Sequence, residues 1–404
     1  MKPAEMPSVP QRCGRNTLLV SVGRDPARHG GAVNTPVIRT STVVQPSLEA
    51  YEAHRADDWR AMRYGRGGTP TTFALEDAVA QMEGGHAAVA LPSGLAAISA
   101  TLCAFAKAGS HVLVSDSVYG PTRQFCDRQL RRYGVEVEYY DPLIGGDIAA
   151  LLRENTTAVY CESPGSLTFE VQDIPAIAAA AHARNVPVLA DTTWGTPCFF
   201  RSFERGVDVS IHAATKYIAG HSDVLLGIVV ANERCWPQVR RTVADFGYNA
   251  SPDDCYLALR GFRTIGVRMR AQMQSALHVA RWLLERREVE RVLYPPLPSD
   301  PGHAIWKRDF SGAASLFGIV LKPVDHEALA RFVNGLELFG IGLSWGGYES
   351  LITVSHAQAA RTATQWAQQG PLLRLHIGLE DPEDLLADLD RAFRAMRVEA
   401  SVAP

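Results

Sequence analysis

Lysine is scarce in this chain of 404 residues: five positions carry it, so 35 of the 40 basic residues are arginine. The seven cysteines (Cys13, Cys103, Cys126, Cys161, Cys198, Cys235 and Cys255) lie far apart, with no C-x-x-C pair and an odd total, unlike a disulfide framework or a thiolate zinc site. Among twelve histidines there is no H-E-x-x-H, and His212 and His221 are separated by a glycine-containing loop, so no metal is expected. Long apolar runs are missing too. The longest, such as 224–231, are strand-sized, against the roughly 18 residues of a membrane helix, so no membrane partner is expected. The opening stretch holds Pro3, Pro7 and Pro10 and no apolar core of the secretory kind, which makes the cytoplasm the expected location. A formal net charge of −3 leaves no basic surplus for nucleic acid.

What is present suits a large folded protein. With 47% apolar and 21% charged residues the chain can bury a sizeable core, and its length exceeds one ordinary domain. Between residues 87 and 231, short β-branched runs alternate with alanine-rich stretches of helical character, the pattern of βα units building a mostly parallel sheet. Strands are expected at 87–91, 111–115, 135–140, 157–161, 186–190, 207–211 and 224–231. Helices are expected at 71–84, 94–108, 121–133, 147–154 and 173–185. From 263 to 287 the apolar positions Ile265, Met269, Met273, Leu277, Ala280 and Leu284 recur at helical spacing, which predicts a long connecting helix. Beyond a proline-rich loop, 313–321, 350–355 and 371–377 read as strands and 325–337 and 381–397 as helices. The fold class expected is α/β: an N-terminal arm (1–67), a large domain with a seven-stranded, mostly parallel sheet (68–262), and a smaller C-terminal α+β domain (263–404).

Among the few lysines, Lys216 stands out, because it follows a buried strand and sits among small and apolar neighbours in Ala213-Ala214-Thr215-Lys216-Tyr217. Desolvation lowers an amine toward the neutral form that makes imines, a chemistry arginine cannot perform; a lysine snorkelling from a loop is the plainer alternative. Asp191 ends the run 186–190 at the carboxyl end of a strand, where open α/β sheets place ligands. A carboxylate there is costly unless it meets a cation, such as a protonated pyridine nitrogen; otherwise it caps a loop. Ser93-Gly94-Leu95 opens a helix directly after a strand, offering an N-cap and free backbone N–H groups to a phosphate. Tyr119, past the next strand, could stack on a planar ring above the same edge or simply be an exposed loop tyrosine.

Two motifs compete. The stretch Gly65-Arg66-Gly67-Gly68-Thr69-Pro70 resembles a dinucleotide loop, but it ends in proline and no strand precedes it. Gly342-Leu343-Ser344-Trp345-Gly346 matches the hydrolase elbow G-x-S-x-G, with His356 and His376 downstream, yet β-branched residues follow it where an elbow needs a helix.

Taken together the residues resemble a known family, the Cys/Met-metabolism enzymes of fold type I that depend on pyridoxal 5′-phosphate (PLP), over about residues 31–389. The resemblance rests on Tyr64-Gly65-Arg66, Pro92-Ser93-Gly94-Leu95, Glu162-Ser163-Pro164-Gly165-Ser166, Thr215-Lys216-Tyr217 with Gly220-His221-Ser222-Asp223, and Arg374-Leu375-His376-Ile377-Gly378-Leu379-Glu380. Within the family, Ser344-Trp345-Gly346-Gly347-Tyr348-Glu349-Ser350 and Trp306-Lys307-Arg308-Asp309-Phe310 are similar to the cystathionine β-lyase branch. The resemblance implies a carbon–sulfur β-lyase that bonds PLP through Lys216, with Asp191 at the pyridine nitrogen and Tyr119 stacked on the ring. It implies that Ser93, Gly94, Leu95 and Thr215 hold the phosphate, and that Lys216 and Tyr119 are the catalytic residues. Tyr64 and Arg66 would reach the phosphate of a neighbouring subunit in a homotetramer built as a dimer of dimers. Arg374, with Ser344 and Trp345, would hold the carboxylate of a small amino-acid thioether. Alternatives are a γ-type relative such as a methionine γ-lyase, a lyase for another cysteine conjugate, and a non-enzymatic binding protein of the same fold. Three residues depart from the family pattern: Ala213 where many members have Ser, Thr192 where Asn is usual, and Leu343 where β-lyases often have Tyr and γ-type enzymes Glu.

Overall fold

The computed structural model describes residues 13–53, 59–356 and 360–397; the part of the expected arm before residue 13 lies outside them. Seven strands form the larger sheet: β1 (Ala87–Leu91), β2 (His111–Ser115), β3 (Glu136–Tyr140), β4 (Thr156–Glu162), β5 (Val188–Asp191), β6 (Val209–Ala213) and β7 (Gly227–Ala231). Their spatial order is β1-β7-β6-β5-β4-β2-β3, and all pairings are parallel except those that β7 makes with β1 and β6. Near-continuous apolar strands mean that both faces must be covered. Along β1, Ala88 and Ala90 join one buried cluster while Ala87, Val89 and Leu91 join the other.

A 20-residue helix, Ile265–Leu284, leads to a second sheet of β8 (Val289–Leu293), β9 (Leu316–Leu321), β10 (Gly340–Ile341), β11 (Leu351–Ser355) and β12 (Leu372–His376). The order is β10-β11-β12-β9-β8, antiparallel apart from β10 with β11. Helices His326–Asn334 and Pro382–Arg397 pack together, with the tilted rings of Phe332 and Phe393 4.5 Å apart between centroids.

Departures from the expected elements have local causes. The helix expected over 121–133 winds as an α-turn Gly120–Phe125, a π-turn Cys126–Leu130 and a 3-10 turn Arg131–Tyr133. Besides Arg123, its buried residues Thr122, Cys126 and Leu130 recur every four positions, wider than the α-helical 3.6, and the looser winding keeps these three on one side. Residues 147–154 yield only a 3-10 stretch, Gly145–Leu151, with Ile148 as its one buried residue. Strand β7 starts at Gly227 rather than 224, because Leu226 is tied to Thr215 in the lysine-bearing turn: Thr215 N donates to Leu226 O at 3.1 Å and Leu226 N to Thr215 Oγ1 at 2.9 Å. Strand β6 lies two residues later than expected, which brings its end within three residues of Lys216.

Two glycines let the helix Gly94–Phe105 settle on the sheet. A Cβ on Gly227 would lie 2.2 Å from the Ser93 carbonyl oxygen, and one on Gly94 would lie 2.7 Å from Ala213 Cβ. The helix N-terminus therefore rests directly on β6 and β7. We expect Gly227→Ala to destabilise the protein by about 1–3 kcal/mol, since the obstacle is backbone and cannot rotate away. Gly67→Ala, with nothing near its added methyl, should stay within about 0.5 kcal/mol in the same urea titration. Equal midpoints for the two variants would refute this account of the contact.

Candidate active site

Strands β2, β4, β5 and β6 all end at the same edge of the sheet, and a cavity of about 600 Å³ opens there toward β11, β12 and the loop before β11. Lys216, Asp191, Tyr119, Arg374 and the helix start at Ser93 all line it.

Lys216 is placed by a tight turn. Its N–H donates to Ala213 O at 3.0 Å, and the next residue, Tyr217, is fully buried with its hydroxyl between the hydroxyl and N–H of Ser315, at 3.1 and 3.0 Å. The Lys216 Nζ donates to Ser344 Oγ at 2.8 Å and lies 5.4 Å from the centre of the Trp345 ring. Burial, then the nearby Arg374 guanidinium, push the amine down to about 8, with Asp191 opposing. Gly346 sits against this turn with φ of +86°, and a Cβ there would come 2.8 Å from the Lys216 carbonyl carbon. Its N–H donates to Nε2 of His376, which burial holds in the neutral form at about 3.

Asp191 ends β5, and its Oδ1 accepts from Thr193 N at 3.0 Å and Thr193 Oγ1 at 2.6 Å. Burial raises this carboxyl above its ordinary value, partly offset by the Thr193 hydrogen bonds. Directly across the parallel pair, Glu162 at the end of β4 is the register partner of Asp191 and lines the same cavity. Burial and then Asp191 push Glu162 well above the usual carboxylate range, and its Oε2 accepts from Tyr119 N at 2.7 Å. Tyr119 is half-exposed, and burial, Glu162 and Asp191 together raise its phenol.

Arg374 is central in β12 and nearly buried; burial lowers it to about 10, so it stays charged at neutral pH. Its Nη2 donates to the carbonyls of Gly342, Leu343 and Ser344 at 3.2, 2.9 and 3.0 Å and to Thr353 Oγ1 at 3.1 Å. The guanidinium thus shapes the loop that presents Ser344 to Lys216.

Ser93 caps the helix, its Oγ accepting from Ala96 N at 3.1 Å, and Ser93, Gly94, Leu95 and Thr215 face the cavity together. A free helix N-terminus beside a desolvated amine and a buried carboxylate fits a phosphorylated, aldehyde-bearing, cationic ring. Ala213 also lines this corner, so the oxygen that a serine would bring is missing there. Thr192, the second departure, turns inward to Ser210 Oγ at 2.7 Å. Tyr64 and Arg66 do not join the cavity: both are exposed, with the Arg66 guanidinium 5.9 Å from the Tyr64 ring. Among the described residues Ser344 Oγ meets Lys216 and no histidine, which removes the hydrolase elbow reading. Glu162 is the residue that sequence reasoning passed over as a functional group. The strand-end rule that singled out Asp191 applies equally to it.

Such a site, a lysine amine, a carboxylate and a helix N-terminus at the carboxyl edge of a mostly parallel sheet, defines the class of enzymes that bind an aldehyde cofactor covalently. The Cys/Met metabolism PLP-dependent enzyme family matches residues 16–394. A putative cystathionine beta-lyase from Rhizobium johnstonii is 48% identical over 96% of this chain and 98% of its own length. Cystathionine beta-lyase MetC from Escherichia coli is 44% identical over 94% of this chain and 98% of its own. The crystal structure of metB from Corynebacterium glutamicum superposes with a TM-score of 0.88 at 30% identity, covering 96% of this chain and all of that one. The chain belongs to the Cys/Met metabolism PLP-dependent enzyme family.

The depressed amine makes a prediction for the cofactor-free protein. An amine captures an aldehyde only when neutral; at pH 7 about one-tenth of a group titrating near 8 is neutral, against about one in 2,500 for an ordinary lysine. The rate at which PLP binds, followed by its visible absorbance, should therefore rise with pH through about 8 and level off above about 9. A rate still climbing tenfold per pH unit at 9.5 would show that Lys216 is not desolvated in solution.

Proposed function

We propose that this enzyme is a carbon–sulfur β-lyase that cleaves cystathionine or a similar cysteine thioether to a thiol such as homocysteine, pyruvate and ammonia. The observation that carries the reading is the convergence of Lys216, Asp191 and Arg374 on one cavity. The names of the two beta-lyases, aligned over nearly the whole chain, support it.

In this reading Lys216 bonds the PLP aldehyde and Asp191 pairs with the pyridine nitrogen. Tyr119 covers the ring, while Ser93, Gly94, Leu95 and Thr215 hold the phosphate. When bound, PLP supplies an electron sink for the charge left at the substrate Cα. The chain supplies the rest. Arg374, with Ser344 and Trp345, holds the α-carboxylate and so orients the Cα–H bond toward Lys216. Lys216 Nζ, depressed to about 8, takes that proton near neutral pH, and Lys216 or Tyr119 returns a proton to the departing sulfur. Leu343 and Leu225, 85% and 70% exposed at the mouth, offer an apolar rim to the thiol portion. The glutamate of γ-type enzymes is absent at 343, which favours β- over γ-cleavage.

The same reading has Tyr64 and Arg66 complete the phosphate site of a neighbouring subunit in a homotetramer, a dimer of dimers, acting in the cytoplasm. Their exposure away from the cavity of their own chain supports this assignment. It also draws the domain limits at 67/68 and 262/263.

Purified enzyme given cystathionine should release pyruvate; 2-oxobutyrate in its place would mean γ-cleavage. Lys216→Ala should lose turnover together with the visible absorbance of bound PLP. Arg374→Ala should keep that absorbance and lose about 2–5 kcal/mol in kcat/KM, the effect of leaving a buried carboxylate unpaired. An unchanged kcat/KM would remove Arg374 from the substrate site.

A further inference from the structure

The cavity has two walls that come from different parts of the chain. One is the segment Gly165, Ser166, Leu167 and Phe169 after β4; the other is the end of β11, from Thr353 to His356. Beyond β11 the chain runs as a strap over 360–366 back onto the large sheet, held there by Asp116 and Arg361.

Asp116 follows β2 and its side chain is fully buried. Its Oδ1 accepts from the Arg123 guanidinium and from Thr362 N at 3.0 Å. Its Oδ2 accepts from Ala363 N at 3.0 Å, Thr364 N at 2.8 Å and Thr364 Oγ1 at 2.9 Å. Arg123 is itself fixed, its guanidinium 3.7 Å from the centre of the Tyr139 ring. One carboxylate thus satisfies three consecutive backbone N–H groups of the strap. Arg361, also nearly buried, reaches the other wall: it donates to Thr168 Oγ1 and pairs with Glu170 at 2.7 Å, while Thr168 Oγ1 donates to Glu170 Oε2 at 2.6 Å. The two anchors meet through the main chain, since Ser166 N donates to Ser117 O at 2.8 Å. Gly165 lies so close to Ser117 that a Cβ would come 2.5 Å from its hydroxyl.

Nothing in this cluster touches Lys216, Asp191 or Arg374 through a hydrogen bond among the described residues. Its contacts fall on the 165–170 wall and on the strap that follows β11 in the chain. We propose that Asp116 and Arg361 are positioning residues that fix the width of the outer cavity and so determine which thiol leaving groups the enzyme accepts. The proposal rests on the lyase reading above and deepens it.

The chemistry of the anchors selects the variants. An Asn at 116 keeps one acceptor oxygen and turns the other into a donor, which must face either the strap N–H groups or the Arg123 guanidinium. A Lys at 361 keeps the charge but has one nitrogen where Arg361 uses two, Nη2 for Thr168 and Glu170 and Nη1 for Thr364 Oγ1 at 3.2 Å. In steady-state assays, Asp116→Asn and Arg361→Ala should raise KM for cystathionine about tenfold more than KM for S-methylcysteine, with kcat and the absorbance of bound PLP within about twofold, and Arg361→Lys should fall between. If Asp116→Asn does not fold, the two Arg361 variants decide the matter. Equal KM changes for the two thioethers, or none, would overturn the proposal, as would a loss confined to kcat. Hydrogen exchange supplies a readout independent of turnover: Asp116→Asn should deprotect 165–170 together with 362–364. Protection at 165–170 unchanged from wild type would also overturn it. A wild-type enzyme that turned over neither thioether would refute the lyase reading and leave the exchange result to judge the anchors.

Discussion

The structure turns on keeping one amine out of water. Lys216 Nζ has a hydroxyl on one side, an indole face on another and the Arg374 cation nearby, so the charged form is poorly solvated and repelled at once. That arrangement needs every neighbour in register. Tyr217 fixes the turn from below through Ser315, Gly346 presses on it from above, and Arg374 gathers three carbonyls so that Ser344 meets the amine. Lys216 comes from the large sheet and its partners from the small one. The Lys216 amine therefore lies at the seam between the two sheets, and neither could supply its environment alone.

Why the chemistry gathers at this edge follows from the strand order. Parallel strands β2, β4, β5 and β6 deliver their carboxyl ends side by side, with Glu162 and Asp191 ending β4 and β5, Asp116 directly after β2 and Lys216 in the turn after β6. The helix that follows β1 is brought to the same edge because β1 pairs with β7, where Gly227 leaves room for its first turn. The helix N-terminus, the carboxylates and the amine thus meet at one edge as a consequence of one topology.

Much of this was readable from local rules, because single residues were decisive. A lone lysine among small residues after a strand, an aspartate at a strand end and a serine-glycine helix start each pointed to the edge where they lie together. What escaped had no local signature. Glu162 obeys the same strand-end rule as Asp191, but its significance depends on being the register partner of Asp191, which only the sheet reveals. The strap over 360–366 reads as polar loop, and its role rests on backbone N–H groups that carry no side-chain identity. Helix Pro252–Phe262 was missed despite a legible start, Ser251 capping and Pro252 at its first position, because its apolar stripe is short. The π-turn at Cys126–Leu130 needed the buried spacing of four to be weighed against 3.6.

The paired carboxylates settle where the negative charge of the site resides. Glu162 and Asp191 stand opposite each other on adjacent strands, both buried, and two like charges at that separation raise the cost of ionising the second. Asp191 receives two hydrogen bonds from Thr193, both favouring its anion, and the nearby Lys216 amine acts in the same direction. Glu162 receives one, from the Tyr119 amide, and is pushed further up by Asp191 itself. Both differences favour protonating Glu162 before Asp191. With or without the proton, Glu162 accepts from the Tyr119 amide, so the glutamate fixes the position of the tyrosine backbone beside Asp191.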